Sequence, residues 1–381
     1  MASRLLRMID NLPKENIKAQ ECSSVLRYEY SCPCDSRLFS LDLPALWDMG
    51  LDKDSFDIQR CVFLDTETTG LSGGAGTVAF LVGYGYVEDN LFMVKQLLIP
   101  DYSCEVEMLT ILSDELSRFD TVIHFNGKRF DVPLLQNRCV LKRLEDFTLH
   151  LAQLDLLLPA RRIWKLRLNC CRLSYLESAV LGMPERDDIP GSEIPTRFFE
   201  SMKTGNQSLL EDIVTHNRQD IVTLTTLLCT INAIYKSPVS QSDTIDLYST
   251  GRTFEHLGQL RVARNLYLKA SVPRIIRSYD DLRHEKYSGE ANLRLYLLAR
   301  RAKDYTNCEF TLLNMIKRKQ MGSLPYLELC KLYEHHLKDY KKALDVCQKL
   351  LAISEGSDPD ELNRRYKRME NKLHNQEVKN V

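Results

Sequence analysis

The sequence predicts an α/β domain on a mixed sheet, followed by an all-α helical array. Two observations carry this. Between 61 and 158, short apolar and partly β-branched runs alternate with amphipathic helical patterns. Past about 240 the strand-like runs stop, and helical patterns follow one another with short links. A length of 381 residues is enough for two domains, each with its own core.

The first strand is expected at 61–64, Cys-Val-Phe-Leu, running into Asp65-Thr66-Glu67. A glycine-rich turn follows at 71–77; with no Gly-Lys-Ser/Thr after it, it is not a Walker loop. Strands at 78–87 and 91–99 flank Glu88-Asp89-Asn90, the signature of a hairpin. An amphipathic helix starts at Ser103, with the stripe Met108, Leu109, Leu112 and Leu116. Then come a strand at 121–125, a helix at 132–144 with Pro133 in its first turn, and a strand at 154–158. Helices are expected at 169–181 and 207–234, with a breaker-rich loop at 187–195 between them. Three adjacent strands, then strand–helix–strand, is the order of an RNase H-like sheet, whose active site lies at strand ends.

The array is expected as helices at 257–270, 293–303, 307–318, 325–336 and 340–353. The last pair resembles one tetratricopeptide repeat, and the polar tail after Ser354 is expected to fray. The domains predicted are therefore a poorly readable extension 1–54, an RNase H-like domain 55–238 and a tetratricopeptide-like array 239–381.

Composition is that of a soluble globular protein, 44% hydrophobic and 27% charged. No run approaches the roughly 20 apolar residues of a membrane span, and the N-terminus lacks a signal-peptide core, so a cytoplasmic protein is expected. Twelve cysteines lie scattered, several in apolar segments, as small buried hydrophobes in a reducing compartment. Cys32 and Cys34, with Cys22 upstream, lack a nearby fourth zinc ligand and read as packed thiols. Charge is uneven: 251–381 holds 26 Lys and Arg against 17 Asp and Glu, a surplus of nine over a chain of net charge −1. A basic half suits an anionic partner or packing against the acidic half.

The chemistry is concentrated in a few residues. Asp65 and Glu67 alternate onto one face of a strand, where two carboxylates repel each other. A divalent Mg²⁺ or Mn²⁺ compensates that, since hard cations prefer carboxylate oxygen; a solvated strand end is the bland alternative. Asp131 stands where a helix begins, directly after Asn126-Gly-Lys-Arg-Phe130, and a capping role alone leaves Asn126 unexplained. His216 and Asp220 are four apart on one helical face. Four acids from three segments, Asp65, Glu67, Asp131 and Asp220, match what two-metal phosphodiester hydrolysis requires: two ions about 3.5–4 Å apart on shared carboxylates. His216 is the candidate base. Arg161, Arg162, Lys165, Arg167 and Arg172, interleaved with Trp164 and Tyr175, form a basic cluster suited to phosphate contacts and base stacking, or else a solvated face. Asp155, ending a strand, reads as structural support.

These motifs resemble those of the DEDD 3′–5′ exonucleases: Asp65-x-Glu67-Thr-Thr-Gly, Asn126-x-x-x-Phe130-Asp131 and His216-x-x-x-Asp220. More closely, residues 55–235 resemble the bacterial YprB-type branch of RNase H-like exonucleases, through Leu154-Asp155 to Lys165, Asp188-Ile-Pro-Gly to Pro195, and His216-Asn217. The resemblance implies a nuclease acting on single-stranded DNA or RNA. Asp65, Glu67, Asp131 and Asp220 would hold two Mg²⁺ or Mn²⁺ ions, and Thr66, Asn126, Phe130, Arg161, Arg162 and Lys165 would contact substrate. Helices like those at the C-terminus accompany that branch and are expected to bind substrate or a partner protein. One departure stands out. Histidine-type DEDD enzymes carry the His five before the last Asp, and tyrosine-type enzymes a Tyr four before it; here His216 holds the tyrosine spacing and Thr215 the other. A structure-specific endonuclease on the same fold, or a non-catalytic adaptor, remain alternatives that products and metal binding separate.

Overall fold

The computed structural model describes residues 24–41, 56–70, 76–186, 189–273, 278–353 and 359–379. They fall into two compact units, Met1–Ser237 and Pro238–Val381. The first is built on a six-stranded sheet: β1 Leu26–Pro33, β2 Cys61–Thr68, β3 Ala79–Glu88, β4 Leu91–Leu98, β5 Thr121–His124 and β6 Ala152–Asp155. Their order is β1-β4-β3-β2-β5-β6. The strands from β1 to β2 pair antiparallel, whereas β5 runs parallel to β2 and β6 parallel to β5. This is the RNase H-like mixed sheet expected from the strand order.

Burial explains the strand readings. Cys61, Val62 and Phe63 of β2 are fully buried and Leu64 is 2% exposed, as a central strand covered on both faces requires. The β3–β4 hairpin closes through Asp89 and Asn90, both at positive φ (48° and 64°), the conformation that such two-residue turns need. Around the sheet lie α1 Glu105–Leu116, α2 Asp131–Lys142, α3 Leu157–Leu168, α4 Ile194–Thr204 and α5 Glu211–Lys236. The α1 stripe Met108, Leu109, Leu112 and Leu116 is buried against the sheet.

Four local expectations are corrected. The extension 1–54 contributes the edge strand β1, where only Cys32 is buried; its polar Leu-Arg-Tyr-Glu-Tyr run has no clear apolar face to announce it. The run at 154–158 is not all strand: β6 ends at Asp155, whose Oδ1 accepts the Leu157 amide at 3.0 Å, and α3 begins there. A short apolar run does not by itself distinguish strand from helix. The helix expected at 169–181 is one turn, Leu173–Leu176, continued by a π turn, Glu177–Leu181. The loop expected to reach 195 gives way to α4, which takes Pro195 in its first turn; Asp187 and Asp188 lie outside the described residues, as do 71–75 of the glycine-rich turn.

The second unit contains α6 Thr244–His256, α7 Leu260–Ala270, α8 Tyr279–Arg301, α9 Tyr305–Lys317, α10 Leu324–Leu332, α11 Tyr340–Ile353 and α12 Pro359–Lys379. Its core gathers Tyr296, Leu312, Met315, Leu329, Cys330, Cys347 and Met369. The sequence missed α6, which is capped by Asp243, and shortened α8. Nor does the tail simply fray. After 354–358, which are outside the described residues, α12 buries Leu362 and Met369 and sets Arg365, Arg368 and Lys372 on the buried Glu334. A buried carboxylate needs such partners, and pairs this distant in sequence leave no local signal. Among the described residues no helix is long and apolar enough to cross a membrane.

Candidate active site

Helix α5 packs over β2, β3 and β4 and brings its first half onto the carboxylates of β2. The approach is close because β3 carries Gly83, opposite Asp65: a Cβ there would meet Asn217 Oδ1 at 2.0 Å. Asn217 is fully buried and tied at both ends. Its Oδ1 accepts from Gln96 Nε2 at 2.8 Å, and its Nδ2 donates to Asp65 Oδ2 at 2.8 Å. The amide thus orients the Asp65 carboxylate. One helical position earlier, His216 Nε2 lies 3.7 Å from Glu67 Oε1 and 3.6 Å from Asp220 Oδ2, spanning two of the acids.

Asp131 arrives from the other side, at the first residue of α2. Its Oδ1 accepts the Thr66 hydroxyl at 2.5 Å. The turn before it places Asn126 at φ 69°, a left-handed conformation Asn tolerates, and the Asn126 amide donates to Asp155 Oδ1 at 2.8 Å. Asp155 therefore pins both the β5–α2 and β6–α3 turns, the supporting role the sequence suggested.

The acids press on one another. Burial, then repulsion from Asp220, Glu67 and Asp131, drives the Asp65 carboxyl well above the usual carboxylate range, against the pull of the Asn217 hydrogen bond. Burial also pushes Asp131 up to about 6, although the Thr66 hydrogen bond pulls it down. All four predicted acids thus belong to one electrostatic cluster. Their donors, carboxylate oxygens under mutual repulsion, are of the kind hard divalent cations prefer. Among the described residues no three His, Cys, Asp or Glu side chains are gathered at metal-ligand spacing. Asp220 is instead engaged by Arg186, with Nη2 2.8 Å from Oδ1.

Beside the cluster opens a cavity of about 520 Å³, lined by the acids Asp65 and Asp220 together with the bases Arg161, Lys165 and Arg172. Phe125, Asn126 and Leu173 also line it.

Residues 62–232 match the family model of the RNase H superfamily. Over 311 residues, 79% of this chain and 71% of the relative, the chain is 28% identical to the uncharacterized protein YprB of Bacillus subtilis (strain 168). Residues 62–232 thus form an RNase H-like unit, as the strand order also has it, and the chain is similar to YprB. A nuclease-type function and nucleic-acid binding come with that superfamily, and its nucleases generally use divalent metal ions.

Within this RNase H-like unit the other predicted residues are placed as follows. Arg161 and Lys165 are one turn apart on α3 and face the cavity, whereas Arg162 is exposed on α3 and does not line it. Thr66 is buried with its hydroxyl on Asp131, and Phe130 caps α2 partly buried; neither lines the cavity. Trp164 is 2% exposed, so it is a core side chain, available neither for base stacking nor as part of a solvated face, the two readings the sequence left open. Cys32 and Cys34 carry free thiols that burial pushes up to about 11, as packed thiols do; Cys22 lies outside the described residues. Sequence reasoning missed Asn217 as the orienter of Asp65, Gln96 as its support, and Arg186. A glutamine inside an apolar strand was a signal for Gln96; nothing local marks Arg186.

Proposed function

We propose that this protein is a metal-dependent nuclease that hydrolyses single-stranded nucleic acid from its 3′ end. The observation that carries the reading is the convergence of the four acids: His216 Nε2 lies 3.7 Å from Glu67 and 3.6 Å from Asp220, Asn217 of the same helix holds Asp65, and Thr66, between Asp65 and Glu67, holds Asp131. A fold keeps such a cluster at a cost in stability, and divalent cations relieve it. Asp65, Glu67, Asp131 and Asp220 would hold two Mg²⁺ or Mn²⁺ ions. When bound, those ions activate a water and neutralise charge on the leaving oxygen. Asn217 keeps the Asp65 carboxylate oriented throughout. His216 Nε2, between Glu67 and Asp220, takes up the proton of the attacking water. Arg161 and Lys165, in the lining of the same cavity, bind backbone phosphates. The helical unit adds affinity for substrate or a partner protein through its basic surplus.

The test is incubation of the protein with end-labelled single-stranded DNA and RNA, in Mn²⁺, in Mg²⁺ and with chelator. Mononucleotides released only with metal are the expected result. Oligonucleotides as first products would favour the endonuclease reading. If neither polymer is cut in any metal, the chain is an adaptor.

A further inference from the structure

The acid cluster contains a protein cation that its metal chemistry does not require. Arg186 Nη2 lies 2.8 Å from Asp220 Oδ1. The same guanidinium pairs with Glu177, its Nε 2.8 Å from Oε2, and its Nη1 donates to Gln219 Oε1 at 3.2 Å. The Thr223 hydroxyl donates to Glu177 as well. The Glu177 side chain is 2% exposed, Arg186 14% and Asp220 16%. So deep a carboxylate as Glu177 needs its counter-ion permanently. Asp220, nearer the cavity, shares that guanidinium as a second partner. One carboxylate oxygen of Asp220, Oδ1, therefore already carries a hydrogen-bonded positive charge.

Resting on the metal-site reading above, we propose that Arg186 is a built-in competitor for the divalent cation at Asp220. A cation binding there displaces Nη2 from Asp220, while Glu177 and Gln219 retain the guanidinium beside the site. Two consequences follow. The cluster folds without metal because Arg186 offsets part of its negative charge. The Asp220 step in metal binding is weaker than the acids alone would make it, so occupancy of the complete site responds to cation concentration.

The experiment is calorimetric titration of the full-length protein with Mn²⁺, in which Asp220→Asn identifies the Asp220-dependent step. Removing Arg186 alone would strand Glu177, so the test variant is the double substitution Arg186→Gln with Glu177→Gln, its fold checked by circular dichroism. This variant is expected to tighten the Asp220 step by roughly tenfold, about 1.4 kcal/mol. Glu177→Gln alone leaves the guanidinium to Asp220 and is expected to weaken the same step by a similar factor. Unchanged affinity in both variants would overturn the proposal and make Arg186 a structural tie, with the metal-site reading intact. No Mn²⁺ binding to the wild-type chain would overturn both.

Discussion

At the scale of the residue, the acids and His216 have separable roles. Asp131→Asn is expected to abolish hydrolysis while raising the melting temperature of the chelator-treated protein, because it removes a charge that the fold pushes toward neutrality. The Thr66 hydroxyl still has a carbonyl oxygen to donate to. Full activity in the folded variant would sink the metal-ligand assignment, and a lowered melting temperature would show that repulsion is not the dominant effect there. His216→Ala is expected to lower turnover by roughly 10²–10⁴-fold with Mn²⁺ affinity little changed. His216→Tyr restores the tyrosine-type pattern at the right spacing. Substantial turnover in that variant would count against an imidazole that must accept the proton, and would leave His216 as the group that positions the water between Glu67 and Asp220.

At the scale of the element, two helices are held by polar contacts that no periodicity reveals. The amide chain from Gln96 through Asn217 to Asp65 seats α5 on the sheet, and Gly83 leaves room for it. In the helical unit, α12 is fastened by Glu334. Burial pushes that carboxyl up, but hydrogen bonds from Arg368 and Lys372 and the charge of His335 hold it down at about 2. A carboxylate depressed in the folded state stabilises above its unfolded pKa, about 4.3, and loses that stabilisation as pH falls through the folded value. Glu334→Gln should therefore destabilise the helical unit by roughly 3 kcal/mol at pH 7 and progressively less between about pH 4 and 2. Denaturant unfolding of both proteins at pH 7 and pH 3 measures this; equal losses at the two pH values would show that packing, not charge, holds α12.

At the scale of the whole molecule, charge is divided along the chain. The surplus of nine basic residues in 251–381 belongs to the helical unit, while the acid cluster lies in the first unit. Phosphate neutralisation makes affinity fall with salt, steeply where many contacts form. Removing 238–381 is expected to weaken nucleic-acid binding and flatten its salt dependence more than it lowers saturated turnover. Fluorescence anisotropy across a salt series, beside single-turnover rates, reads both effects. An unchanged slope would assign the helical unit to a protein partner instead.

The division between what was legible and what was not follows the range of the forces involved. The sequence alone determined the order of β2 to β6 with the helices between them, the sheet class, and that Asp65 and Glu67 lie on β2, Asp131 at the start of α2, and His216 and Asp220 on α5. Apolar periodicity and helix-start chemistry are local, and carboxylates at strand ends are conspicuous against an apolar background. It failed where the local pattern was weak. The polar edge strand β1 becomes a strand only by pairing with β4, and α12 finds its partner in Glu334, some thirty residues away. It misplaced Trp164 because a basic helix conceals which of its faces is buried. Only the tertiary structure decided that Asn217 orients Asp65, that Asp155 pins two turns, and that Arg186 occupies Asp220. Each of these joins residues far apart in the chain. Burial removes the water that would otherwise satisfy such groups, and so forces them to find one another.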